Sequence, residues 1–462
     1  MTRTTTMKAV SMRTATTIGR RDALLLGIGV AAGAVTLAAC AGSGTSGSTP
    51  EQASSSTTAK GSVKEPMSKP TTFQEAPSLA SAVKSGSLPA LADRLPENPY
   101  VLPHRWVQRG KYGGIMRMSV NDTTQGSIYQ FCMGHAFLRI INDGLDVYPG
   151  LAESWEVNAD QTRYVFHFRK GLRWSDGKPW TTADIMYWWE DMVVNKVHPD
   201  GYPDDVRSGT DTVAEVTAPD ENTLVLAFDP PAPAVLDRIG AWVNGSTNGT
   251  RWMAPKHYAK RFHPKYNKAI DPDSDWPTKH DDKLRWAQNP ACPTMTGWRT
   301  TSYGSGSVGW ERNPYYYCVT ADGDQLPYID RVQWIATVDP QVQKLQFISG
   351  KVDYVQGSHT GLGLGDVSSL KQAEAKGKVK LELWDSGSGT GSMTFFNFDT
   401  DDAALADLLA QQKFRQALSM AFNRAEARKT IYFEQGELTS GTLGPKGQMF
   451  QLDQAGKQIY TQ

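Results

Sequence analysis

An excess of charge of either sign is missing from this chain: 48 basic residues stand against 48 acidic ones among 462. A nucleic-acid partner needs a basic face to meet its phosphates, so this balance argues against one. Cysteine is scarce, with four in all: Cys40, Cys132, Cys292 and Cys318. No Cys-x-x-Cys pair, His-Glu-x-x-His pair or Gly-x-Ser-x-Gly elbow occurs, so the common short signatures of redox, zinc and serine enzymes are absent. After residue 40 no apolar run is long enough to cross a bilayer. A large soluble body remains, 39% hydrophobic and 21% charged, and neither a cofactor nor a metal is expected. Among the eight histidines, His257 and His263 come closest to ligand spacing, on a stretch where surface or core roles are the plainer reading.

The one long apolar run lies at the start. Residues 1–21 carry Arg3, Lys8, Arg13, Arg20 and Arg21 and no acid, and an apolar stretch softened by glycine follows from Ala23 to Ala39. A basic region, a short apolar core and small residues at the cut describe a secretory signal. Arg20-Arg21 looks like a twin-arginine export signal. Leu37-Ala38-Ala39-Cys40 resembles the lipobox of bacterial lipoproteins, in which the cysteine is acylated and becomes the new N-terminus. The alternative is an uncut anchor, for which about 17 apolar residues is short. Beyond Cys40, Ala41 to Pro70 is rich in Ser, Thr, Gly, Ala and Lys. Such a stretch buries too little surface to offset its ordering entropy and reads as a leash.

Strand and helix signals alternate through the rest. Arg163 to Arg169 sets Tyr164, Phe166 and Phe168 on one face. Ser175-Asp176-Gly177-Lys178-Pro179 is a tight turn, and Thr181-Thr182-Ala183-Asp184 a capping box that opens a helix through Met192. Further strands are expected at Gly114–Ser119, Thr223–Phe228, Arg331–Val338, Lys378–Trp384 and Met393–Phe398. Helices are expected at Pro340–Ile348 and, as one long amphipathic element, at Phe414–Phe433. Cys292 and Cys318 are free to pair in an oxidising exterior, or to be buried thiols; Cys132, between Phe131 and Met133, reads as core.

Several of these segments carry a resemblance. Pro149–Val157 and Phe166–Thr181 are similar to the opening signature of extracytoplasmic solute-binding proteins, family 5. So are Pro255–Tyr258, Glu311–Tyr316, Leu326–Arg331, Gly350–Asp353 and Phe414–Arg424, collinear from about Lys111 to Gly436. The resemblance implies an α/β, periplasmic-binding-protein-like fold of two lobes with an extra inserted domain. It implies receptors of ABC importers for peptides, nickel or oligosaccharides, which hand their ligand to a membrane permease and its ATPase. The expected layout is a signal peptide (1–40), a linker (41–95), a first lobe with the inserted domain (96–392) and the start of a second lobe (393–462). The family continues well past the match at Phe414–Arg424, so a truncated second lobe is expected here, loose beyond Met393 and weak in ligand binding. The protein would work outside the cytoplasmic membrane, held to its outer face by lipid alone.

In α/β lobes ligands sit beyond the carboxyl ends of strands. That rule selects Asn121 and Asp122 after the Met116–Val120 strand, Gln356 to His359 after Val352–Val355, and Trp384 to Ser386, with Asn121, Asp122, His359, Trp384 and Asp385 as the ligand candidates. An ordinary Asx turn is the plain alternative for Asn121 and Asp122, and burial in the core for Trp384. An oligopeptide is the favoured ligand. The fourteen tryptophans keep an oligosaccharide open, since indole faces stack on sugar rings, and an extracytoplasmic enzyme is the more distant reading.

Overall fold

The structure, a computed structural model, describes residues 68–102, 109–123, 136–141, 146–195, 201–209, 212–241, 252–355, 360–383 and 394–436. Its strands are β1 (Tyr100–Val101), β2 (Ile115–Val120), β3 (Leu138–Ile141), β4 (Asp146–Pro149), β5 (Ala152–Val157), β6 (Arg163–Phe168), β7 (Glu215–Asp220), β8 (Thr223–Ala227), β9 (Trp298–Tyr303), β10 (Ser307–Arg312), β11 (Cys318–Val319) and β12 (Arg331–Ala336). They form two four-stranded sheets, ordered β5-β6-β8-β7 and β2-β12-β10-β9, and the pairs β1-β11 and β3-β4. The first sheet is antiparallel throughout. In the second, β2 and β12 run parallel while β9 and β10 are antiparallel additions.

Alternation explains the first sheet: Tyr164, Phe166 and Phe168 of β6 are buried on one face, as their spacing requires. The second sheet contributes Met118, Val120, Val308, Trp310, Val332 and Trp334 to the same apolar core. Ten of the fourteen tryptophans are buried, among them Trp155, Trp174, Trp180, Trp188 and Trp252. Thr181 and Asp184 make the expected capping box, and the helix Thr182–Tyr187 continues as a π-helical turn over Trp188–Val193. Cys292 and Cys318 are free buried thiols and do not pair; burial pushes both thiols up. Cys132 lies outside the described residues.

Four expectations need correction. Residues 68–95, placed in the linker by the expected layout, fold onto the body: Arg94 is fully buried, paired with Glu75 and donating to the Pro314 carbonyl. Residues 378–383 are not a strand, because Leu381 N donates to Glu374 Oε1 instead of a neighbouring strand. Residues 394–398 form no strand either, and Phe395 is 83% exposed. The single helix expected over Phe414–Phe433 is two, Gln412–Ala421 and Arg424–Thr430. Asn423 breaks it by accepting from Glu426 N as an N-cap, a local bond that competes with helix continuation. Arg415 donates to the carbonyls of Leu409 and Ala410, and Arg424 to that of Ser419.

Candidate functional site

Parallel strands deliver their carboxyl ends to one edge. Val120 of β2 lies opposite Ala336 of β12, so Asn121 and Thr337 leave the sheet side by side, and Thr337 N donates to Val120 O at 2.7 Å. Asp339 then caps the helix Pro340–Ile348 by accepting from Gln341 N and Val342 N. That helix turns Gln343 back over the edge, where it is wholly buried. Gln343 Nε2 donates to Asn121 Oδ1 at 2.9 Å and to Thr337 O at 2.5 Å, and its Oε1 accepts from Gly361 N at 2.9 Å. One side chain therefore ties three segments together.

The stretch before His359 is anchored to the same edge. Tyr354 bridges Met118 in parallel, Asp353 N donates to Arg117 O, and Arg117 N donates to Asp353 Oδ2. Beyond it, Gly361 lies against Pro340 so closely that a Cβ would overlap the proline ring. Lys344 pairs with Asp366 at 2.8 Å, both largely buried, and this bond holds the Asp366 carboxyl below its ordinary range.

The sequence-selected residues thus part company. Asn121 and Asp122, both half-buried, sit at this edge, which also receives the two flanks of 356–359. His359, Trp384 and Asp385 lie outside the described residues, as do Arg20, Arg21 and Cys40. Sequence reasoning missed Gln343. No periodicity could have found it, because Val342 and Leu345 beside it are exposed while the polar residue is buried.

His257 and His263 each bond within a local polar network. Asp176 Oδ2 meets His257 Nε2 at 2.8 Å. Buried His263 accepts at Nδ1 from Lys265 N, and its Nε2 faces the Asp191 carbonyl, so the two histidines serve separate networks. Burial lowers the His263 pKa, keeping the ring neutral. Among the described residues no group of three or more His, Cys, Asp or Glu side chains could hold a metal, and no helix is long and apolar enough to cross a membrane. Two surface clefts of about 640 and 450 Å³ share Ile270 and Trp276, and neither is lined by Asn121 or Gln343.

Known proteins share this architecture. A relative from Rhizobium meliloti, a periplasmic alpha-galactoside-binding protein, is 26% identical over 409 residues, 78% of this chain and 54% of its own. A solved structure of an oligopeptide-binding protein OppA superposes with a TM-score of 0.65 at 32% identity, covering 80% of this chain and 58% of that one. The Agrobacterium fabrum binding protein MelB, solved with stachyose, gives 0.58 at 22% identity over 85% of this chain and 60% of that one, a likeness of fold. The chain spans about half the length of the curated relatives it matches. The two-lobe α/β fold of periplasmic binding proteins is thereby the fold of this chain's neighbours and the class to which its mixed sheets conform. Residues 146–458 match the family described as bacterial extracellular solute-binding proteins, family 5 (middle), and the chain belongs to that family.

Proposed function

We propose that this chain is the ligand-capturing component of an ABC importer and that its ligands are oligopeptides. The observation that carries the reading is the likeness to the oligopeptide-binding protein OppA, at 32% identity and a TM-score of 0.65. Burial of the tryptophans adds support. A sugar receptor needs indole faces open to the ligand, whereas ten of the fourteen here are core elements. An oligosaccharide receptor is the second reading, favoured by the alpha-galactoside-binding relative that aligns over 78% of this chain.

In the peptide reading, two lobes close on the ligand and the closed form presents it to a permease and its ATPase. Closure follows only if the ligand binds the closed state more tightly than the open one. The peptide lies extended and is held mainly through its main chain, as an added strand would be. No bond is made or broken, so the protein is a receptor and not an enzyme. We assign 96–392 to the first lobe with its inserted domain and 393–462 to the second lobe. A leash from residue 41 would end before the folded segment that begins at residue 68. Lipid at Cys40 and export directed by Arg20 and Arg21 would set the protein on the outer face of the cytoplasmic membrane.

Calorimetric titration of the complete gene product separates the readings. Alanine tri- to pentapeptides should bind at one per chain with micromolar affinity or better, and raffinose should not. Binding of raffinose alone would establish the oligosaccharide reading instead.

A further inference from the structure

Amide orientation at the edge of β2 and β12 is decided by partners that have no choice of role. A backbone N–H only donates and a backbone carbonyl only accepts. Gly361 N at 2.9 Å therefore fixes the oxygen of Gln343, and the Thr337 carbonyl at 2.5 Å fixes its nitrogen. With both ends of Gln343 settled, its NH2 also faces Asn121, which must answer with oxygen, as it does at 2.9 Å. The Asn121 Nδ2 group then turns away from Gln343, and no described group accepts from it. Asn121 is half-buried at the carboxyl end of the sheet, where a lobe of this kind meets its ligand.

We propose that Gln343 is a positioning residue that holds the Asn121 oxygen and so leaves the Asn121 NH2 as the group presented to the ligand. The ligand atom held there is an acceptor that needs no proton of its own: a carbonyl or carboxylate oxygen of a peptide. A sugar hydroxyl at the same place would meet that NH2 with its lone pairs and would have to find another acceptor for its own proton. Burial of Gln343 makes the lock stiff, since an inverted amide would set its oxygen against the Thr337 carbonyl and its NH2 against the Gly361 N–H. This inference rests on the receptor reading above and narrows the chemistry of the ligand at that site.

Asn121→Asp tests it with little change of shape. One carboxylate oxygen still accepts from Gln343, while the other replaces the donor aimed at the ligand. At pH 7 the affinity for tetra-alanine should fall at least tenfold with the melting temperature nearly unchanged. Affinity should recover as the pH approaches the ordinary carboxyl range, about 4, because a protonated carboxyl can donate again. A merely structural role for Asn121 gives no such recovery. The lock itself is read without ligand, by hydrogen exchange of the side-chain amides: the Gln343 NH2 should be protected and the Asn121 NH2 should exchange freely. Wild-type affinity in Asn121→Asp, or the reverse pattern of protection, overturns the proposal. If the wild type binds neither tetra-alanine nor raffinose, the receptor reading fails and the ligand half falls with it, while exchange still judges the lock.

Discussion

Trp310 and Trp334 meet edge to face between neighbouring strands, with ring centroids 4.2 Å apart and planes at 75°. Trp310 is paired in register with Val332, and Trp334 with Val308, so the two indoles are diagonal neighbours on one face of the sheet. Both are almost wholly buried. Truncating either to alanine removes a large apolar body and leaves a cavity, at a cost of about 3–5 kcal/mol. The double variant should lose less than the sum, by about 0.5–1.5 kcal/mol, because the ring–ring term disappears once. Urea unfolding of the four proteins measures this, and strict additivity would show that the rings do not interact.

Burial pushes the Asp184 carboxyl up to about 6 from its ordinary 3.8, although Lys256 N, Trp174 Nε1 and Thr181 N all donate to it. A raised carboxyl binds its proton more tightly folded than unfolded. Its stabilising contribution is complete below pH 3.8 and is lost as the pH rises through about 6. Asp184→Asn cannot ionise and lacks that loss. Its absolute stability should be lower, since two donors converge on the oxygen it replaces. The gap between wild type and variant should nevertheless narrow from pH 4 to 6.5, by on the order of 2–3 kcal/mol. A gap independent of pH would mean that Asp184 keeps an ordinary pKa.

Gly361 approaches the Pro340 ring too closely for any Cβ. Gly361→Ala should displace the segment from the helix and strain the Gln343 bond, costing about 1–3 kcal/mol. Hydrogen exchange at the Gly361 position should accelerate before the global unfolding limit is reached. Unchanged protection would show that the segment yields without cost.

Much of the fold was legible because its signals are local. Asp339 as cap, Pro340 at the first turn and Gly350 after the end set the helix Pro340–Ile348 at the bounds that sequence suggests. The alternation of β6 and the capping box at Thr181 and Asp184 work over six residues or fewer. Elements that depend on distant partners were not legible. The stretches 378–383 and 394–398 have strand-like residues, yet no described strand pairs with them. Arg94 fixes the 68–95 segment through Glu75 and Pro314, contacts that composition cannot reveal. At the candidate site Asn121 was selected by a rule about strand ends, and the structure sets it at that edge. Gln343 escaped because its value comes from three bonds to remote backbone and side-chain groups.

Membrane attachment has its own test. In the precursor, Cys40→Ser should move the protein from the membrane fraction to the soluble one. Replacing Arg20 and Arg21 together by lysine should stop export. Processing and membrane retention unaffected by the cysteine change would contradict lipid anchoring, and normal export of the double variant would point to the general secretory route.

The most direct measurement titrates the complete gene product with tetra-alanine and then analyses the ligand by mass spectrometry after long incubation. The receptor account predicts one site per chain, micromolar affinity or better, and full recovery of intact peptide. Steady cleavage or modification of the peptide, or no binding of peptide at all, would contradict it.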